Sequence, residues 1–365
     1  MAYGNRPKNC LTRGIGFNRS RALARRKSTM NTTSQNDTAI AIVGIGAVLP
    51  PDGAGVQSFH DLLRSGQSAI RNVPESRWKA SDHYSENRDA KDKTYSRIGG
   101  FVDGAPFKSI EFRIPPKVSN VIDSVQQWAL LATREALAYA GLKDKEFDRS
   151  RTAVIFGNSM GGEQVYQTAF RCYLNELSSR MHGARSFQQL DEAVQQELVR
   201  EVEAAMRDHL VPITEDTMAG ELANCIAGRV AGAFDLTGPS YTADAACAGS
   251  LAALYGAVLG LRAHQYDYAI VGGVDSNMGP ESYVKFSKIG ALSPDGSRPF
   301  DEGSNGFVMG EGAAVFVLRR LVDAEKDGDN VLAVIRGIGA ASDGKGKGIT
   351  APNPRGQQQA IERAY

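Results

Sequence analysis

The chain has 365 residues, 42% of them hydrophobic and 23% charged, which suits two ordinary domains or one large layered unit with a sizeable core. No uncharged apolar run approaches 18 residues, so a transmembrane helix is excluded. The 39 glycines are scattered without period, which excludes collagen-like and low-complexity chains. The net charge of +1 is unevenly spread: residues 1–36 hold eight basic residues and no acidic one, leaving 34 basic against 41 acidic. A mildly acidic body argues against nucleic-acid partners.

Residues 1–38 are expected to be a disordered basic tail. The Arg-rich, acid-free composition also fits an organelle transit segment, or a chain whose real start is Met30. No apolar stretch of a secretory signal is present. The four cysteines, Cys10, Cys172, Cys225 and Cys247, share no metal-type spacing, so no metal site is expected. Free thiols in a reducing compartment, the cytoplasm, are the expected setting.

In chain order, Ala39 to Gly44 is apolar and β-branched, a buried strand. Gly44-Ile45-Gly46 then resembles the start of a dinucleotide loop, but its third glycine is missing and Pro50-Pro51 stands where a helix should open. A glycine turn leaving the strand is the alternative. Pro115 to Leu142 is predicted to be one helix, closed by Gly141. Ala153 to Gly157 is a second buried strand. Phe187, Leu190, Val194, Leu198, Val202 and Met206 recur every three to four residues and predict a charged surface helix ended by Pro212. Leu251 to Ala263 predicts a small-residue, fully buried helix. Tyr268–Gly273, Ala314–Leu318 and Leu332–Ile335 predict three more strands, the last two separated by a polar turn at Lys326–Asn330. Strands alternating with helices indicate an α/β protein with helices covering an interior sheet. Pro354 to Tyr365 begins an amphipathic helix and then stops without a cap or trailing loop, which suggests a fragment of a longer chain.

Two segments carry candidate nucleophiles. Gly157-Asn158-Ser159-Met160-Gly161 follows a strand and matches the GxSxG elbow of α/β hydrolases, with Ser159 as nucleophile. That chemistry needs a downstream acid and histidine, yet His182, His209 and His264 lie in polar or helical stretches. In Tyr241 to Ser250, Cys247 stands among small residues just before an apolar helix. The positive end of a helix macrodipole favours a thiolate, and small neighbours leave room for an acyl group. A packed core cysteine remains the alternative on composition alone.

Further motifs surround Cys247. Asn224 to Val230, Phe234 to Ser240 and Asp244-Ala245-Ala246-Cys247, followed by Leu292 to Gly296, Arg298-Pro299-Phe300-Asp301 and Gly306 to Gly312, resemble the active-site region of β-ketoacyl synthases. Ile42 to Gly46 and Arg77-Trp78 resemble the start of that family, so the resemblance runs in order from about Ala39 to Tyr365. Asp123 with Gln126-Gln127, and Ser342 to Pro352, place it nearest to ketosynthase domains of polyketide synthases and polyunsaturated fatty acid synthases.

The resemblance implies a thiolase-like, layered α/β/α/β/α fold over residues 39–365, with the first half complete and the second truncated. It implies that Cys247 accepts an acyl chain as a thioester from the phosphopantetheine arm of an acyl carrier protein. Decarboxylative condensation with a malonyl unit would follow, in a homodimer and without a metal or bound cofactor. Two histidines serve the decarboxylation in the family. None of His60, His83, His182, His209 or His264 lies in their motifs, so neither role transfers. A non-catalytic fragment, or half of a split synthase, is therefore the alternative, and the Ser159 hydrolase the more distant one.

Overall fold

The computed structural model describes residues 38–346, 348 and 350–365. Residues 1–37 of the expected tail, with Cys10, and Lys347 and Ile349 of the Ser342–Pro352 stretch lie outside the described residues. Among the described residues, nine strands form two sheets: β1 (Ile40–Val48), β2 (Ile70–Asn72), β3 (Ile98–Gly100), β4 (Thr152–Gly157), β5 (Ser240–Ala243), β6 (Tyr268–Asp275), β7 (Met309–Gly310), β8 (Gly312–Arg320) and β9 (Ala333–Ile335). The six-stranded sheet runs β5-β4-β6-β8-β1-β9, and the small one β2-β3-β7. Pairing is parallel among β5, β4 and β6 and antiparallel from β6 through β8 and β1 to β9.

Strand alternation sorts the core onto the two faces of the large sheet. Val154 and Phe156 of β4 pack with Trp128, Leu130 and Ile226 on the face covered by the Ser124–Tyr139 and Asn224–Ala233 helices. Ala153 and Ile155 point the other way, to Ala253, Ala257, Val258 and Leu261 of the Gly249–Arg262 helix. A third cluster, built on Trp78, Phe101, Met278 and Tyr283, joins the small sheet to the body.

Several expectations are corrected. Gly44 and Gly46 lie inside β1, which continues to Val48, and are not a turn. A Cβ on Gly46 would stand 1.9 Å from the Ala132 carbonyl oxygen, so hydrogen there lets the Ser124–Tyr139 helix lie close against the strand. The predicted Pro115–Leu142 helix is two: Pro116–Ser119, then Ser124–Tyr139. Asp123 between them is extended, and its carboxylate accepts from Val125 N at 2.9 Å, a side-chain cap that starts a new helix. The Phe187–Met206 stripe is likewise divided, into Arg185–Gln188 and Glu192–Asp208, the latter ending before Pro212.

A helix, Leu321–Lys326, precedes the polar turn before β9, and β9 is half-exposed because it is the edge of the sheet. The Gly249–Arg262 helix starts two residues earlier than predicted and is not fully buried: Leu251 is 65% exposed and Leu259 45%. Apolar composition all round did not mean coverage all round. The C-terminal helix, Pro354–Ala364, starts on an N-cap, with Asn353 accepting from Arg355 N.

Candidate active site

Cys247 occupies a 3₁₀ turn, Ala246–Ala248, between β5 and the 14-residue Gly249–Arg262 helix. Two devices place it. Asp244 accepts from Ala246 N at 2.8 Å, closing a tight turn in which Ala246 takes a φ of 47°. Beneath the turn, Gly157 ends β4, and a Cβ on it would lie 2.2 Å from the Gly249 carbonyl carbon. The helix start can therefore rest directly on the strand end. Cys247 is exposed, and it opens on a cavity of about 490 Å³. The apolar walls include Leu251, Leu254, Val271 and Phe316, and Asp275 and Glu311 are among the other lining residues.

Ser159 lines the same cavity. The two nucleophile candidates, 88 positions apart, thus share one site. Ser159 is not set up as a hydrolase elbow. The left-handed residues are its successors, Met160 at φ 69° and Gly161 at φ 75°, and the next helix begins only at Gln164. Its hydroxyl lies 3.4 Å from Asp244 Oδ2, and none of the five histidines lines the cavity. His182 stacks edge-on against Phe187 and His83 against Trp78, each away from the site. A serine without a base to take its proton is a poor nucleophile.

Asn158, which the motif pattern did not single out, is the organiser of the loop. It donates to Gly161 O and Val274 O and accepts from Gly161 N, so β4 and β6 hold the Ser159 loop from below. A polar side chain directly after a buried strand and between glycines was the available signal. Asp123, one of the family-like residues, holds the far side of that loop: it accepts from Gln164 N at 2.7 Å and Ser276 Oγ at 3.2 Å. Burial raises its carboxyl above the usual range. Gln126 donates to the carbonyls of Ala219, Gly220 and Leu222 and accepts from Arg229 at 2.5 Å, so the Asn224–Ala233 motif is pinned to the helix that Asp123 opens. Cys225 is half-buried, and Cys172 is exposed on the Gln164–His182 helix.

Residues 37–324 match the family described as "Beta-ketoacyl synthase, N-terminal domain". The chain belongs to the β-ketoacyl synthase family. Among curated relatives, a phenolphthiocerol/phthiocerol polyketide synthase polypeptide of Mycobacterium tuberculosis is 35% identical over 327 residues, covering 89% of this chain and 19% of that protein. A polyunsaturated fatty acid synthase polypeptide of a Thraustochytrium species is 32% identical over 335 residues, 90% of this chain and 11% of that one. The oxazolomycin ketosynthase domain from Streptomyces albus superposes with a TM-score of 0.70 at 31% identity, covering 89% of this chain and 52% of that one. A ketosynthase from module 6 of the Bacillus subtilis bacillaene synthase gives 0.68 at 29%, over 90% and 48%. The ketosynthase chain therefore spans less than a fifth of these curated relatives and about half of the solved domains. Its α/β fold is thiolase-like, as the resemblance implied. Among the described residues no helix is long and apolar enough to cross a membrane.

Proposed function

We propose that Cys247 is the acyl-accepting nucleophile of a β-ketoacyl-[acyl-carrier-protein] synthase in fatty acid or polyketide biosynthesis. The observation that carries this reading is its position: an exposed thiol at the head of a long helix, opening on an apolar cavity. The unpaired amides and dipole of a helix N-terminus favour negative charge beside them. The thiolate attacks the carbonyl carbon of an acyl thioester, the oxyanion forms and collapses, and the carrier's phosphopantetheine thiol leaves as the acyl group stays on Sγ. No metal or resident cofactor enters this step.

The partners follow from the same reading: an acyl carrier protein as donor, a second copy of the chain, and a cytoplasmic setting. A dimer is supported by β5, which sits at the sheet edge beside Cys247 with Tyr241 44% exposed. Residues 39–365 form the synthase region and 1–38 a dispensable tail. Decarboxylation of a malonyl unit develops an enolate that needs donors, each worth about 3–4 kcal/mol, and the histidines the family uses for it are not among the five of this chain. The chain by itself thus acylates without condensing. The exposed Leu251 and Leu259 favour a second reading, in which another polypeptide covers this helix and supplies the histidines.

Incubation with a medium-chain acyl thioester, then peptide mapping, tests the assignment. Acyl adduct on Cys247, abolished by Cys247→Ser, is expected. Adduct on Cys225 or Cys172 with none on Cys247 overturns it, and a fluorophosphonate adduct on Ser159 revives the hydrolase. Ketoacyl product that appears only when a downstream polypeptide is added supports the second reading.

A further inference from the structure

Arg77, Glu163 and Glu311 come from three distant parts of the chain and meet beside the cavity. Glu163 ends the loop that carries Ser159 and Met160, and Glu311 stands in the cavity wall between β7 and β8. Arg77 donates to Glu311 Oε1, which also accepts from Val102 N at 2.8 Å. Glu163 Oε1 accepts from Met278 N at 2.9 Å, and its Oε2 lies 3.9 Å from Arg77 Nη1. One guanidinium faces two carboxylates. The Glu311 side chain is 0% exposed, and its Oε2 is buried with no hydrogen-bond partner.

Two ionised carboxylates around one arginine leave an uncompensated charge where charge is costly. The surroundings add to that cost. Glu281 and Asp123 act on Glu163 as further negative charges, and Asp103, itself paired with Arg71, acts on Glu311. The buried Tyr283 hydroxyl, pushed up by burial and by both glutamates, brings no positive charge. Burial raises both carboxyls to about 7, against the pull of Arg77.

We propose that Glu163 and Glu311 share a single proton across Arg77, and that this proton locks the Ser159–Glu163 loop to the β7–β8 wall of the cavity. With the proton bound, one carboxylate balances the guanidinium and the other is neutral. When it leaves above neutrality, the two carboxylates compete for Arg77, and the looser pair, Glu163, gives way. The loop it ends then loses its tie to the wall. The groups titrate as a pair, so the proton belongs to the cluster and not to one residue.

The sign is definite. A carboxyl raised in the folded state binds a proton that the unfolded chain, near its ordinary 4.5, does not. The stabilisation is complete below about pH 4.5 and is lost as pH rises through about 7. Urea unfolding of the full chain at pH 6.5 in weak buffer, followed with an indicator dye, reads the proton directly. The wild type is expected to release about one proton more per chain than Glu163→Gln or Glu311→Gln, because either variant leaves one carboxylate to one arginine. Glu192→Gln, at an exposed position on the Glu192–Asp208 helix, should release as the wild type does. Equal release from wild type and both glutamine variants overturns the shared proton, and should Glu311→Gln fail to fold, Glu163→Gln decides.

The link to the cavity is read by the alkylation rate of Cys247, taken as the ratio of wild type to Glu163→Gln at each pH so that the thiol's own ionisation cancels. The ratio should be constant below pH 6 and change between pH 6 and 8. A flat ratio overturns the coupling. This second readout rests on Cys247 being the reactive thiol, whereas proton release does not, so failure of that assignment is distinguishable.

Discussion

Two helices cover opposite faces of the large sheet, and they do so differently. Ser124–Tyr139 buries ten of its residues, Trp128, Leu130 and Leu131 among them, under the neighbouring Asn224–Ala233 helix. Gly249–Arg262 is the more apolar in sequence, yet it buries only Gly249, Ala253, Ala257, Val258, Gly260 and Leu261. Leu251 and Leu259 stand in the open. The first helix is mostly buried, with Arg134, Ala138 and Tyr139 left exposed. The second has Cys247 at its head, seats Ala253, Ala257, Val258 and Leu261 on the sheet and leaves Leu251 and Leu259 on a free face. An exposed apolar face on a helix headed by an exposed thiol is the part of this layer that other molecules can reach.

The sharpest test of this contrast is a pair of leucine truncations read by denaturant unfolding. Leu130→Ala, at a fully buried position, should cost about 2–5 kcal/mol, whereas Leu251→Ala should stay within about 0.5 kcal/mol. Comparable losses would break the distinction between the faces. The starting point of the closed helix comes next. Asp123→Ala removes the cap and leaves Gln164 N without its acceptor, for an expected loss of about 1–3 kcal/mol; a loss below about 0.5 kcal/mol would show that the helix starts without it.

The far end of the Cys247 helix is held by charge. Arg320 donates to Leu261 O and Tyr266 O and pairs with Asp267, which Arg151 also engages. The Arg151 and Arg320 hydrogen bonds lower the Asp267 carboxyl to about 2. A depressed carboxyl stabilises above its unfolded value, near 4, and the contribution fades as pH falls through about 2. Asp267→Asn should flatten the acid limb of the unfolding midpoint between pH 4 and 2, and an unchanged limb would place the acid sensitivity elsewhere. The smallest effect is expected from the tail: a chain beginning at Met30 should melt as the full chain does, because a basic, apolar-poor segment has little to bury. A large loss of stability would assign it a place on one of the two faces.

Much of the fold was legible in the sequence, since buried strands are short β-branched runs and β1, β4, β6 and β8 each read as one. The place of Cys247 at a helix head was legible as well, because small residues followed by an apolar helix is a local pattern. The break at Asp123 was visible only as a residue type: a capping aspartate inside an apolar period reads as helix until its carboxylate is seen to accept Val125 N. The exposure of Leu251 escaped notice for another reason. Hydrophobicity states what a side chain tends to avoid, whereas coverage depends on which element stands opposite.

What the sequence by itself determined was local: strand and helix periods and the motifs that carry the family. Those follow from backbone geometry and side-chain type within a few residues. Only the tertiary structure decided which distant residues meet. It brought Ser159 to the cavity of Cys247 and put Gly46 under the Ala132 carbonyl. It also set Glu163 and Glu311 on one arginine 86 and 234 positions away. Contacts across such separations depend on how the sheet orders its strands, and the chain reveals that order only when the layers close.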